Sequence, residues 1–129
     1  MTENKNEADY HLSEDFKASE FRCHCCGVLK FNPDLIMALQ DLRDLAGVPI
    51  KINDGYRCPK HNIEVGGVIG SQHTIGNAAD IVIHGKTVFE MFNLAERIAK
   101  FNEGGIGQYP RKHFLHVDVR SGGPARWTE

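Results

Sequence analysis

Ser71-Gln-His-Thr-Ile-Gly-Asn-Ala-Ala-Asp-Ile-Val-Ile83 sets an imidazole, His73, and a carboxylate, Asp80, on either side of a glycine and runs straight into an apolar stretch. Ala78, Ala79, Ile81, Val82 and Ile83 read as a buried strand, a short apolar run following a turn signal. Asp80 falls inside that run, where a carboxylate is costly unless something cationic pairs with it. Nearer the C-terminus, His113-Phe-Leu-His-Val-Asp118 carries a second polar group on another strand-like segment. Two histidines and one carboxylate, with a fourth position left to water, are the donor set of a catalytic zinc site. Singly, a core histidine or a capping aspartate is ordinary; in combination they favour a metal.

Outward from this stretch the chain alternates helix and strand signals. Asn32-Pro33 starts a helix, with Asn as N-cap and Pro in the first turn. Leu35, Ile36, Leu39, Leu42 and Leu45 then recur at helical spacing up to Gly47. Val48 to Ile52 alternates as a strand, and Asn53-Asp-Gly55 reads as the turn after it. Tyr56 to Asn62 is a polar loop or short helix. Thr87 caps a second helix whose apolar face (Val88, Met91, Phe92, Leu94, Ala95, Ile98, Ala99) ends near Phe101-Asn102. Gly104 to Tyr109 is a glycine-rich strand that lets a backbone or ligand come close, and Phe114 to Val119 a closing strand. His11 to Phe21 is a short helix or turn docked by its aromatics. Residues 1–9 read as a loose leader and Arg120 to Glu129 as a polar tail with Trp127 packed back. The sum is an α+β fold: two main helices on a small, mostly antiparallel sheet that carries the polar groups.

With 129 residues, 41% of them apolar and 25% charged, the chain is expected to form one soluble domain over 1–129. A net charge of -2 gives no electrostatic footprint for nucleic acid. No apolar run is long enough to span a membrane, and the polar start resembles no signal peptide. The chain is therefore expected to be made in the cytoplasm, and a single domain with a complete site to act as a monomer. Cys23, Cys25, Cys26 and Cys58 read as reduced thiols or as a second, structural metal site. Two separate C-x-x-C pairs, the mark of a zinc ribbon, are missing. His11 and His84 read as surface or turn residues, and His61 as a residue lining the cleft with Asn62.

Gly55-Tyr-Arg-Cys-Pro-Lys-His-Asn62, Val65-Gly-Gly67, the Ser71–Asp80 element, Gly104-Gly-Ile-Gly-Gln-Tyr-Pro110 and Phe114-Leu-His-Val-Asp-Val-Arg120 closely resemble the peptidase M15 family. Its members include zinc D-alanyl-D-alanine carboxypeptidases, phage endolysin endopeptidases and related murein endopeptidases. The likeness runs from about Leu12 to Trp127 and is to the short, single-domain form. It implies the fold shared by these peptidases and hedgehog signalling domains, with zinc on His73, Asp80 and His116. It also implies that Arg57 holds a substrate carboxylate, with Ser71 as a further substrate contact. Several members carry Glu or Asp three residues before the last zinc histidine, as general base. That position is His113 here, so His113 is the first candidate base and Asp118 the second. The expected substrate is the peptide stem of peptidoglycan, cut as a carboxypeptidase or an endopeptidase. The setting would be the cell wall, reached through a holin or as part of a phage particle. A non-catalytic binding module with the same zinc site is the alternative, favoured by the substitution at 113.

Overall fold

In the computed structural model, which describes residues 9–129, the Asn32 side chain accepts the Asp34 N–H at 2.9 Å and Pro33 opens helix α1 (Pro33–Ala46). Gly47 ends the helix at φ 69°, a left-handed turn that glycine adopts without a Cβ penalty. Thr87 caps α3 (Val88–Glu96) through a capping box with Glu90. Between them lie strand β1 (Ile50–Asp54) and the short helix α2 (Pro59–Glu64). A 3₁₀ turn, Gln72–Ile75, leads into β2 (Ala78–Ile83).

The second main helix is not continuous to Asn102. It stops at Glu96, Ile98 turns extended (φ -96°, ψ 116°), and a separate turn α4 (Ala99–Asn102) follows. The Asn102 amide bonds back to the Glu96 carbonyl and carboxylate, so the break is held by side-chain chemistry that apolar periodicity does not register. Strands β3 (Gly105–Tyr109), β4 (Phe114–Asp118) and β5 (Ala125–Thr128) complete the chain. The segment read as a polar tail thus contains an edge strand. β1 also extends to Asp54 through a bulge after Ile52, where a turn was expected.

The five strands form one sheet in the order β1-β2-β4-β3-β5. All neighbours are antiparallel except β3 and β5, which are parallel. The core unites α1 (Leu35, Leu39, Leu42), α3 (Met91, Ala95) and α4 (Phe101) with Ile81, Ile83, Ile106, Leu115 and Val117 of the sheet. Phe16 and Phe21, 1% and 0% exposed, join this core, with their rings edge-on at 6.1 Å; the segment before α1 docks by its aromatics as expected. The fold is α+β, with α1, α3 and α4 packed on the core face of a mostly antiparallel sheet. Of the loose leader, residues 1–8 lie outside the described residues, whereas the Asp9 carboxylate accepts hydrogen bonds from the Ser19 backbone and hydroxyl. Among the described residues no helix is long and apolar enough to cross a membrane.

Candidate active site

Sheet register brings the polar groups together. Asp80 on β2 is the cross-strand partner of His116 on β4, and His116 is the partner of Gly107 on β3. Directly opposed residues share a face of the sheet, so Asp80 and His116 meet there. His73 reaches them from the 3₁₀ turn just before β2. Ser71 fixes that turn by accepting the His73 N–H at 3.2 Å, and its carbonyl accepts the Thr74 hydroxyl at 2.6 Å.

His73 Nε2 and His116 Nδ1 each lie 3.2 Å from the same oxygen, Asp80 Oδ1. The far side of each ring is committed elsewhere. His73 Nδ1 is 2.7 Å from the Gly55 carbonyl, an acceptor only, so that nitrogen carries a proton. His116 Nε2 is 2.7 Å from Asp118 Oδ2, again an acceptor. With those protons placed, each ring in its neutral form turns a lone pair toward a carboxylate oxygen. Three lone-pair atoms converging at the floor of a cleft repel unless a cation joins them. Imidazole and carboxylate suit Zn(II), and the three donor atoms lie within 4.8 Å of one another. The residues fit the metal.

Electrostatics agree with the geometry. Burial would push the Asp80 carboxyl up, but hydrogen bonds and charge from His116 and His73 hold it well below the usual carboxylate range. Burial lowers the His116 pKa, an effect outweighed by Asp118 and Asp80, which raise it. The demand for positive charge at this point is the same whether a proton or a metal meets it.

Asp118 is fully buried and its oxygens are filled. Oδ1 accepts the Gly105 N–H at 2.8 Å, the Arg120 N–H at 3.1 Å and Arg120 Nε at 2.9 Å. Oδ2 accepts His116 Nε2 and Arg120 Nη2, both at 2.7 Å. Burial opposes ionisation, yet Arg120 and His116 keep this carboxyl well below its ordinary range. The glycines of β3 make the arrangement sterically feasible. A Cβ on Gly105 would sit 2.3 Å from Asp118 Oδ2, and one on Gly107 2.3 Å from the Trp127 ring.

The cleft above these groups has a volume of about 350 Å³, and Arg57, Ser71, Tyr109, Lys112 and Arg120 are among its lining residues. Arg57 spreads its guanidinium over three oxygens: Asp54 Oδ2 at 2.5 Å, Asn62 Oδ1 at 3.0 Å and Asp80 Oδ2 at 3.3 Å. Asn62 lies beneath it, nearly buried. His73, Asp80, His116, Asp118, Arg57 and Ser71 are therefore brought together. His113 is not. It occupies the β3–β4 turn at φ 56°, exposed, in a shallow depression with Gly85, Thr87 and Phe89.

Sequence reasoning passed over Arg120 and Trp127 as site residues. Arg120 stands two residues beyond Asp118 and grips it, and its guanidinium lies 5.4 Å from the Trp127 ring centre. Trp127 flanks His116 at 5.0 Å between ring centres and donates to the Tyr109 hydroxyl at 2.9 Å. The Asp118-Val-Arg120 alternation was a visible signal for the first. The second depends on β5, which pairs Gly107 with Trp127.

Comparison with known proteins agrees with this architecture. A family model described as Peptidase M15 matches residues 14–118. The peptidoglycan L,D-endopeptidase MepK of Escherichia coli K12 is 31% identical over 123 residues, 90% of this chain and 60% of that protein. A probable peptidoglycan L,D-endopeptidase MepK of Haemophilus influenzae is 30% identical over 107 residues, 77% of this chain and 54% of that protein. The chain thus spans about 60% or less of the length of these curated relatives. The match takes in β1 to β4 with Arg57, Ser71, His73, Asp80, His116 and Asp118, and the chain belongs to the peptidase M15 family.

Proposed function

We propose that this chain is a zinc-dependent endopeptidase of peptidoglycan stem peptides, with His73, Asp80 and His116 as the metal ligands. The observation that carries the reading is the convergence on one carboxylate oxygen of two imidazole nitrogens whose ring protons are held on the far side of each ring. Similarity to proteins named as peptidoglycan L,D-endopeptidases supports the cell wall as the place of action. It also supports an internal L–D bond as the target, in preference to a terminal D-Ala. All the groups come from one chain, so no second copy is needed.

When bound, zinc supplies Lewis acidity toward an amide carbonyl and lowers the pKa of water to about 7. The chain's own groups do the rest. Gly55 and Asp118 fix the two imidazole tautomers, and Arg120 fixes Asp118, a chain of support that keeps metal-facing nitrogens unprotonated. Arg57 is anchored through Nε on Asp54 and Nη1 on Asn62, while its longest contact, Nη2 to Asp80, is the arm free to exchange for a substrate carboxylate. A planar guanidinium suits that task, and Lys112 and Arg120 add positive charge to the same cleft. The free α-carboxylate of a D-Glu residue in the stem is the group it would hold. Ser71 commits an oxygen lone pair to the His73 N–H and retains its hydroxyl hydrogen for substrate. Asp118 acts as a positioning residue, because its oxygens are saturated. We assign no proton transfer to His113, which lies away from the cleft.

The absence of a free carboxylate at either expected base position favours a second reading, a zinc-containing binding module. Turnover separates the two. Zinc-loaded protein and its His73→Ala variant would be incubated with purified peptidoglycan and the soluble fragments read by mass spectrometry. Fragments cut at an internal L–D bond, absent with the variant, support the peptidase. Intact peptidoglycan that nonetheless retains the protein on pelleting overturns it for the binding module.

A further inference from the structure

We propose a second metal site, separate from the cleft, in which Cys23, Cys26 and Cys58 bind a thiophilic divalent ion of the zinc class. The three sulfurs lie within 4.8 Å of one another, although Cys58 is 35 residues from Cys23. A tetrahedral ion with Zn–S bonds of about 2.3 Å would hold its sulfurs about 3.8 Å apart, a short contraction from this arrangement. All four cysteines are free thiols.

The backbone around the sulfurs is arranged for thiolates. The Cys58 N–H points at the Cys23 sulfur at 3.4 Å. The His61 N–H points at Cys58 Sγ at 3.4 Å. Cys23 and Cys26 have C-x-x-C spacing, and the Cys23 carbonyl accepts the Gly27 N–H at 2.8 Å. Gly27 is left-handed at φ 74°. A tight turn, with backbone N–H donors on two of the three sulfurs, favours sulfur anions gathered in one place. Cys25 is exposed and groups with His61 and Glu64 instead, which leaves the fourth coordination position of a tetrahedral ion to water or another donor.

This site has a structural consequence. Cys58 is the N-cap of α2 and follows Arg57 directly. The Arg57 N–H bonds to the His73 carbonyl at 3.2 Å and the Tyr56 N–H to the Phe21 carbonyl at 3.0 Å. An ion joining Cys58 to the 23–26 turn would staple the segment that presents Arg57 to the cleft. The inference stands on its own sulfurs and does not depend on the peptidase reading.

The test uses the full chain carrying His73→Ala and His116→Ala, which removes the cleft ligands, loaded under reducing conditions with zinc alone or cobalt(II) alone. The expected result is one retained zinc per chain, with intense thiolate-to-cobalt charge-transfer absorption. Adding Cys58→Ser should abolish both. On the unmutated protein, Cys23, Cys26 and Cys58 should resist alkylation until a chelator is added, a readout that does not depend on any variant folding. A variant with no zinc and no charge-transfer band, thiols alkylated equally with and without chelator, or a disulfide between two of the three sulfurs would overturn the proposal. Peptidoglycan cleavage by the unmutated protein would be unaffected by that outcome as evidence for the cleft site.

Discussion

Replacing Asp118 by Asn separates a positioning residue from a general base. The substitution conserves shape but puts an NH₂ where an oxygen now accepts only donors. Facing Oδ2's partners, it meets His116 Nε2–H and Arg120 Nη2; flipped, it meets Gly105 N–H and two Arg120 donors. Breaking a buried charge pair costs about 3–5 kcal/mol. Arg120 retains 26% side-chain exposure and can turn to water, so the low end, about 3 kcal/mol, applies. For a domain of this size that lowers the melting temperature by about 10 °C. The amide would also favour an unprotonated His116 Nε2, moving the proton to Nδ1 and taking away the metal-facing lone pair. Loss of such a supporting partner typically weakens metal binding about 10–100-fold, or about 1.4–2.8 kcal/mol. Zinc competition with a chelating dye and calorimetric melting measure both effects. Turnover lost with zinc affinity and melting temperature unchanged would refute the positioning role and restore Asp118 as base.

His113→Asn, which tolerates the left-handed backbone better than Ala, should leave kcat and zinc affinity unchanged in a peptidoglycan digest, since His113 faces another depression. Gly107→Ala drives a Cβ into the Trp127 ring; overpacking of about 1–3 kcal/mol should appear in melting, and displacement of the sole tryptophan as a change in its emission. Leu39→Ala, in the buried core, should cost about 2–5 kcal/mol in urea unfolding with zinc content intact.

Much of this was legible because it is local. Asn32-Pro33 with Gly47, and Thr87 with Glu90, are caps whose chemistry lies within a few residues. The run from Ala78 to Ile83 announces a buried strand by composition alone. The three proposed ligands were legible as residue types, and family resemblance ordered them, but the tautomer locks were not. Those depend on Gly55 and on a register that sets β2 beside β4. β5 escaped because a four-residue edge strand gains its hydrogen bonds from β3, which no local pattern records. The break at Ile98 escaped because Asn102 and Glu96 close it by side chains. His113 was placed by analogy of position, whereas the β3–β4 turn carries it away from the cleft.

The most direct measurement is the long-range ¹H–¹⁵N spectrum of the histidine rings with and without zinc, which reads each tautomer and each metal-bound nitrogen. Zinc should shift His73 Nε2 and His116 Nδ1, leaving protons on His73 Nδ1 and His116 Nε2. Unmoved ring nitrogens on adding zinc, or the opposite tautomer at either histidine, would contradict the account.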